Sequence, residues 1–286
     1  MFRPMPHGRP YKYILRYLDK DVSKMFPMNL RRLAAVLSGM LALGGIAVAA
    51  GPSADADFRI DNKVFVDGQT TPTSESTTIF HQGVVYDFMK QPEEVIVLDK
   101  AADRFVLLDT LRKIRAELST ANLLDFNEQL RQSARKQSDP LLNFLADPEF
   151  KEEFDETAQE LTLSSDWMTY RVLLEKVDES EIMALYREFS DWYARLNTRM
   201  SPGSRPATAR LLVNEALSRR KATARNVALT ITLRKTFPPK RMSLHSEHQL
   251  IRHIAESDLD RVTQTRQFMT IFKPVSFEEY LAANRL

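Results

Sequence analysis

Cysteine is absent from the 286 residues. That excludes disulfides, thiolate zinc sites, iron–sulfur ligation by cysteine and cysteine nucleophiles. It also excludes the acylated cysteine of a bacterial lipoprotein. Glycine is scarce, at eight, with about half of it before residue 52. Backbone-lined phosphate sites draw on glycine-rich loops, and no such loop, no G-x-S-x-G and no H-E-x-x-H occurs. Charge of one sign is also lacking. Forty Lys and Arg stand against 38 Asp and Glu, a net +2, so no polycation argues for nucleic acid. Only one apolar run is long, and it lies near the start. No second run reaches the ~20 residues that cross a bilayer, so no stable membrane span is expected after that first segment is removed.

What is present begins with an address. Arg31 and Arg32 precede an uncharged run of apolar and small residues, Leu33 to Val48. Ala47-Val48-Ala49 and Ala54-Asp55-Ala56 both place small residues where a signal peptidase reads. A basic start, an apolar centre and a small-residue cut site make a secretory signal. Gly44-Gly45 and the abundance of alanine weaken the alternatives of a buried helix or a membrane anchor. Residues 1–28 are basic, with three prolines before Tyr11; they read as a long n-region or as an upstream extension, with Met25 or Met28 the true start. The division expected is 1–56 as signal and extension and 57–286 as a single domain, periplasmic or secreted.

The stretch from Glu75 to Asp109 organises the domain. Val84-Val85, Val95-Ile96-Val97-Leu98 and Phe105-Val106-Leu107-Leu108 are short runs rich in β-branched and aromatic residues. Gly83 and Lys100-Ala101-Ala102-Asp103 supply turns of hairpin length. Pro92 breaks any helix joining the runs. The central runs do not alternate, so both faces are expected to be covered there.

Around this meander, Phe58, Ile60, Val64 and Val66 share one strand face, with Arg59, Asp61 and Lys63 on a wet one. Leu111, Ile114 and Leu118 sit at helical spacing, and Leu123, Phe126 and Leu130 continue it in a second helix. Asp139-Pro140 opens a third, as N-cap and first-turn proline, with Leu141, Leu142 and Leu145 buried. Phe150 to Ala158 reads either way. Leu161 and Leu163, then Met168, Tyr170, Val172 and Leu174, alternate as strands. Asp178 to Met200 is the clearest helix, with Ile182, Leu185, Tyr186, Phe189, Trp192, Tyr193 and Leu196 at spacings of three and four. That stripe reads as core before it reads as a ligand pocket. A helix over 207–219 and a strand over 226–235 follow. Pro238-Pro239 turns the chain into a returning strand with Met242 and Leu244 inward. A helix over 258–272 carries Leu259, Val262 and Phe268-Met269, and Ser276 with Glu279 caps a last short one.

Chemistry-bearing clusters are few. His245, His248 and His253 lie within nine residues, but at no metal-ligand spacing, and read as scattered surface histidines. Glu152-Glu153 and Asp155-Glu156 could pair for glycoside chemistry and read as a wet face. No catalytic residue, cofactor or metal is expected.

Three segments carry a resemblance: Gly83-Val84-Val85-Tyr86-Asp87, Glu94-Val95-Ile96-Val97-Leu98-Asp99 and Arg104-Phe105-Val106-Leu107-Leu108-Asp109. Together with an export signal and a helical insertion between strands, they resemble the lipoprotein-carrier (LolA-like) superfamily. The likeness is close over about 35 residues and elsewhere follows element order; the tryptophan usual near Tyr86 is absent. It implies an unclosed antiparallel barrel covered by helices, with an apolar cavity for acyl chains. The expected fold is therefore α+β, a single curved antiparallel sheet with helices packed on one face. The expected function is non-enzymatic carriage of a lipid or lipoprotein-like ligand. Ile79, Val97, Leu107, Val172, Leu229 and Ile231 are the candidate cavity walls, each also readable as plain core. An envelope interaction protein without a cavity, and a hydrolase with unrecognised residues, are the alternatives.

Overall fold

The computed structural model describes residues 56–200, 206–233 and 240–283. The signal segment and the Pro238-Pro239 turn lie outside them. Twelve strands form one sheet: β1 (Phe58–Val66), β2 (Ser74–His81), β3 (Val84–Met89), β4 (Glu94–Asp99), β5 (Arg104–Asp109), β6 (Ile114–Ser119), β7 (Lys151–Asp155), β8 (Glu160–Ser164), β9 (Met168–Lys176), β10 (Ala222–Leu233), β11 (Lys240–Ile251) and β12 (Lys273–Pro274). Among the described residues six helices accompany them: α1 (Thr120–Arg135), α2 (Pro140–Ala146), α3 (Ser180–Met200), α4 (Thr208–Arg219), α5 (Glu256–Ile271) and α6 (Phe277–Ala283). The strand order is β12-β6-β5-β4-β3-β2-β1-β11-β10-β9-β8-β7, and the two ends do not pair, so the sheet is unclosed. Every neighbouring pair is antiparallel except β12 with β6. This is the α+β architecture expected from the sequence.

Turn chemistry sets the register. Gln82 and Gly83 both take positive φ, +51° and +72°, so His81 pairs directly with Val84 in a two-residue hairpin of the kind that matches strand twist. Three further hairpins use one four-residue form. Asp99, Asp109 and Asp155 each end a strand and accept, through Oδ1, the backbone N–H three residues on, from Ala102, Arg112 and Ala158. The last loop residue then takes positive φ: Asp103, Lys113 and Gln159.

That form overturns the helix expected over 111–118. Leu111 stands in the second of these loops, 72% exposed. Ile114, Ala116 and Leu118 alternate inward along β6 while Glu117 points out. A spacing of four satisfies a period of 2 as well as one of 3.6, and the Asp109 turn decides between them.

One face of the sheet, the inner face, gathers five helices: α1, α2, α3, α4 and α6 all contribute to the apolar cluster with Phe58, Ile60, Phe80, Leu107, Val172 and Leu229. Asp139 caps α2 as expected, and Leu141, Leu142 and Leu145 are buried. Ser276 and Glu279 form the reciprocal cap of α6. An extra residue, Arg225, bulges from β10 against β9. It resets the phase so that Ala222 and Ala224, as well as Val227, Leu229 and Ile231, reach the inner cluster.

The outer face is not left wet along β1. Helix α5 lies over it and over β2–β5, burying Ile79, Tyr86, Phe88, Val97, Val106 and Leu108 beneath Val262 and Phe272. Arg59 binds Asp258 at 3.0 Å and Asp61 at 3.0 Å. Arg261 sits 4.0 Å over the Phe88 ring, and Arg266 donates to Tyr86 Oη at 3.1 Å. Coverage on both sides is why β3–β5 read as unbroken apolar runs. Leu259, expected inward on this helix, is 38% exposed.

Candidate functional site

Among the buried polar side chains of the inner face, six form one continuous row. Asn62 on β1, Ser76 and Thr78 on β2, Asp87 on β3, and Ser246 and His248 on β11 all point inward and are buried. His248 Nε2 meets Ser246 Oγ at 2.9 Å, and its Nδ1 meets Asn62 Oδ1 at 2.8 Å. Asn62 Nδ2 donates to Thr78 Oγ1 at 3.1 Å and to Ser76 Oγ at 3.3 Å. Thr78 Oγ1 donates to Asp87 Oδ1 at 2.7 Å, and Tyr193 Oη of α3 donates to Asp87 Oδ2 at 2.9 Å. The row thus crosses four neighbouring strands and ends on the helix layer. Burial pushes the Asp87 carboxyl upward, against the hydrogen bonds from Thr78 and Tyr193. Burial, with the charge of Arg210, holds His248 down at about 3.

Beside this row lies a small cavity at the seam where α3 meets β9, β10 and β11. Ile60, Ile182, Tyr186, Ala224 and Leu250 give it apolar walls, and His248, Glu175 and Thr223 polar ones. Its volume, about 10 Å³, suits one water molecule. Three side-chain ties hold α3 and the residue before it to the sheet: Tyr193 to Asp87 on β3, Glu188 to Lys100 in the β4–β5 loop at 2.7 Å, and Glu179, just ahead of α3, to Arg252 just past β11 at 2.6 Å.

Behind α3, helix α4 brings in a charged layer. Asp191 lies 3.5 Å from Arg187 and accepts from Asn214 Nδ2 at 2.6 Å. Arg195 donates to the Asp191 carbonyl at 2.9 Å. Arg210, 5% exposed, feels Tyr170, Tyr186 and Asp191, and burial brings its guanidinium down to about 10.

The six expected wall residues do not line one space. Leu107, Val172, Leu229 and Ile231 belong to the inner cluster, whereas Ile79 and Val97 belong to the outer one beneath α5. All six are 3% exposed or less. Strand alternation separates them: Ile79 follows Thr78 and Val97 follows Ile96, and each neighbour points inward. The histidines do not converge. His245 faces outward beside Glu247 and His253 is exposed, but His248 is buried, not a surface histidine. Among the described residues no three His, Asp or Glu side chains cluster as a metal site. Glu152 and Glu153 stand on the exposed edge strand β7, paired with Arg219 and Lys151.

The polar row had a signal in the sequence. Asn62 interrupts an alternating apolar face between Ile60 and Val64, and Ser246 and His248 continue the phase of Met242 and Leu244. Arg210 shares the phase of Val213 and Leu217 on its helix. No protein-family model and no curated protein matches the chain.

Proposed function

We propose that this chain is an exported, non-enzymatic binder of an apolar, acyl-type ligand held between the inner face of the sheet and its helix layer. The observation that carries the reading is the seam between α3 and strands β9–β11, where the inner face and the helix layer leave a small cavity lined mainly by Ile60, Ile182, Tyr186, Ala224 and Leu250, with Glu175, Thr223 and His248 at its polar side. A chain of more than a few methylenes needs α3 to lift from that seam. Lifting costs no ladder hydrogen bonds, because the sheet pairs strand with strand throughout. What is lost is apolar contact and the α3 ties, and each methylene that enters restores ~0.8 kcal/mol of burial. Native mass spectrometry of protein purified from its own cell envelope tests the reading. Co-purifying lipid is the expected result; bare mass from several mild preparations, with no saturable uptake of added lipid, speaks against it.

A second reading, an envelope interaction protein, draws on the exposed apolar residues Leu111 and Ile271, each 72% exposed. They stand near each other in the fold, since Lys273 N–H donates to the Lys113 carbonyl at 3.0 Å. Pairing through the sheet edge is the weaker version, because Lys151, Glu152, Glu153 and Asp155 load edge strand β7 with charge.

A further inference from the structure

We infer that Leu111 and Ile271, with Lys113 and Lys273 beside them, dock this protein on an anionic phospholipid surface. Among the described residues four large apolar side chains are exposed, and this pair, at 72% each, is the most exposed of them. The parallel pairing of β12 with β6 brings their segments together: Lys273 lies opposite Ile114, and its N–H donates to the Lys113 carbonyl at 3.0 Å. The two segments read alike, an exposed aliphatic followed two residues on by an exposed lysine. Neither is a loose end. Thr110 Oγ1 donates to the Glu93 carbonyl at 2.9 Å, and Arg112 donates to Asp109 from its backbone at 2.7 Å and its guanidinium at 3.1 Å. The loop is thus fixed on both sides of Leu111. Phe272, buried in the outer cluster, anchors the chain directly after Ile271, and its N–H donates to the Phe268 carbonyl at 3.0 Å. Single exposed aliphatics are ordinary, but a pair held side by side on fixed backbone marks a contact surface.

The charges around the pair say what it meets. Lys113 and Lys273 are exposed and, among the described residues, stand in no ion pair. Arg112 spends its charge on Asp109, and Arg115 on Glu117. Glu279, the acid whose charge Lys273 feels, is held in the cap of Ser276. Glu93, on the loop that Thr110 grips, is exposed and opposes the two lysines. Two aliphatic tips are too little for a stable protein partner, which covers ~800 Å² on each side. A bilayer asks for less: the tips pass the headgroups, and cations at their base meet the phosphates. The patch lies at the other end of the strand order from β9–β11, so docking there does not rest on the seam holding a ligand.

The full chain is sedimented with vesicles of phosphatidylcholine alone and of phosphatidylcholine mixed with phosphatidylglycerol, at low and high salt. Saturable binding to the mixed vesicles is expected, about 30-fold tighter than to phosphatidylcholine alone, the worth of two lysines at an anionic surface, and weakened by salt. Lys113→Gln with Lys273→Gln is expected to erase that preference, and Glu93→Gln to strengthen it about fivefold. Leu111→Gln and Ile271→Gln are each expected to weaken binding about 10- to 100-fold, the range for burying one aliphatic side chain. All five side chains are exposed, and an unchanged urea midpoint shows each variant folded; the vesicle comparison on the unaltered chain needs no variant. Equal binding to both kinds of vesicle overturns the role of the lysines. Binding undiminished by both aliphatic substitutions overturns the patch. No vesicle binding overturns the docking and leaves the seam reading in place; if ultracentrifugation then shows a dimer that Leu111→Gln breaks, the occupant is a second copy of this chain.

Discussion

His248 and Asp87 belong to one hydrogen-bonded row yet answer pH in opposite directions. His248 is depressed from 6.5 to about 3. The unfolded chain therefore binds the extra proton, and the stability that neutral His248 lends is present above pH 6.5 and lost as pH falls towards 3. Asp87 is raised from 3.8 by burial. Its protonated form lends stability that is complete below pH 3.8 and lost as pH rises through the raised value. Urea unfolding between pH 7 and 4 is expected to show a loss on the order of 1 kcal/mol per pH unit from His248 below pH 6.5. His248→Gln flattens that slope, whereas Asp87→Asn steepens it by removing the opposing group. Parallel curves for all three proteins contradict these assignments. The sequence carried the row's phase, since Asn62 and His248 sit at inward positions of alternating strands. It did not carry the partners, because Asn62 and His248 are 186 residues apart. Their pairing needs β1 to lie beside β11, a long-range choice that no local pattern encodes.

Among elements, α3 and α5 hold the sheet by different means. Helix α3 packs Ile182, Tyr186, Phe189, Tyr193 and Leu196 onto the inner cluster, the stripe visible as a period of 3.6. Its buried tie to the sheet row is Tyr193 Oη to Asp87. Tyr193→Phe is expected to cost about 1–3 kcal/mol in chemical denaturation, the worth of a buried hydrogen bond to an ionisable acceptor. A cost below 0.5 kcal/mol contradicts the tie. Helix α5 has only a narrow apolar side, Val262, Phe268 and Met269, continued by Phe272 just past its end, and relies on Arg59, Arg261 and Arg266 for docking. Phe272→Ala is expected to cost about 3–5 kcal/mol, and Leu259→Ala less than about 0.5 kcal/mol; similar values for both contradict the packing. The helix itself was legible, but the face it covers was not. Arg59 and Asp61 look like a wet face until Asp258 is placed above them. The helical spacing over 111–118 misleads for a related reason: the deciding feature is the Asp109 loop, which repeats the form at Asp99 and Asp155.

For the whole molecule, the alternating and unbroken apolar runs carried the α+β class and the single antiparallel sheet, because strand phase is a local property. The candidate site was less legible. Ile79 and Val97 fell on the far side of the sheet, since an unbroken apolar run conceals which residues face which layer. Ile60, Ile182, Tyr186, Ala224 and Leu250 meet only when α3 crosses β10 and β11. The most direct measurement of ligand binding at that seam is photo-crosslinking of the full chain with a diazirine-bearing fatty acid, followed by peptide mapping. The expected result is saturable labelling, displaced by unlabelled fatty acid and confined to α3 and strands β1 and β9–β11 around those five residues. Labelling that does not saturate, or that falls instead on Leu111 and Ile271, contradicts it.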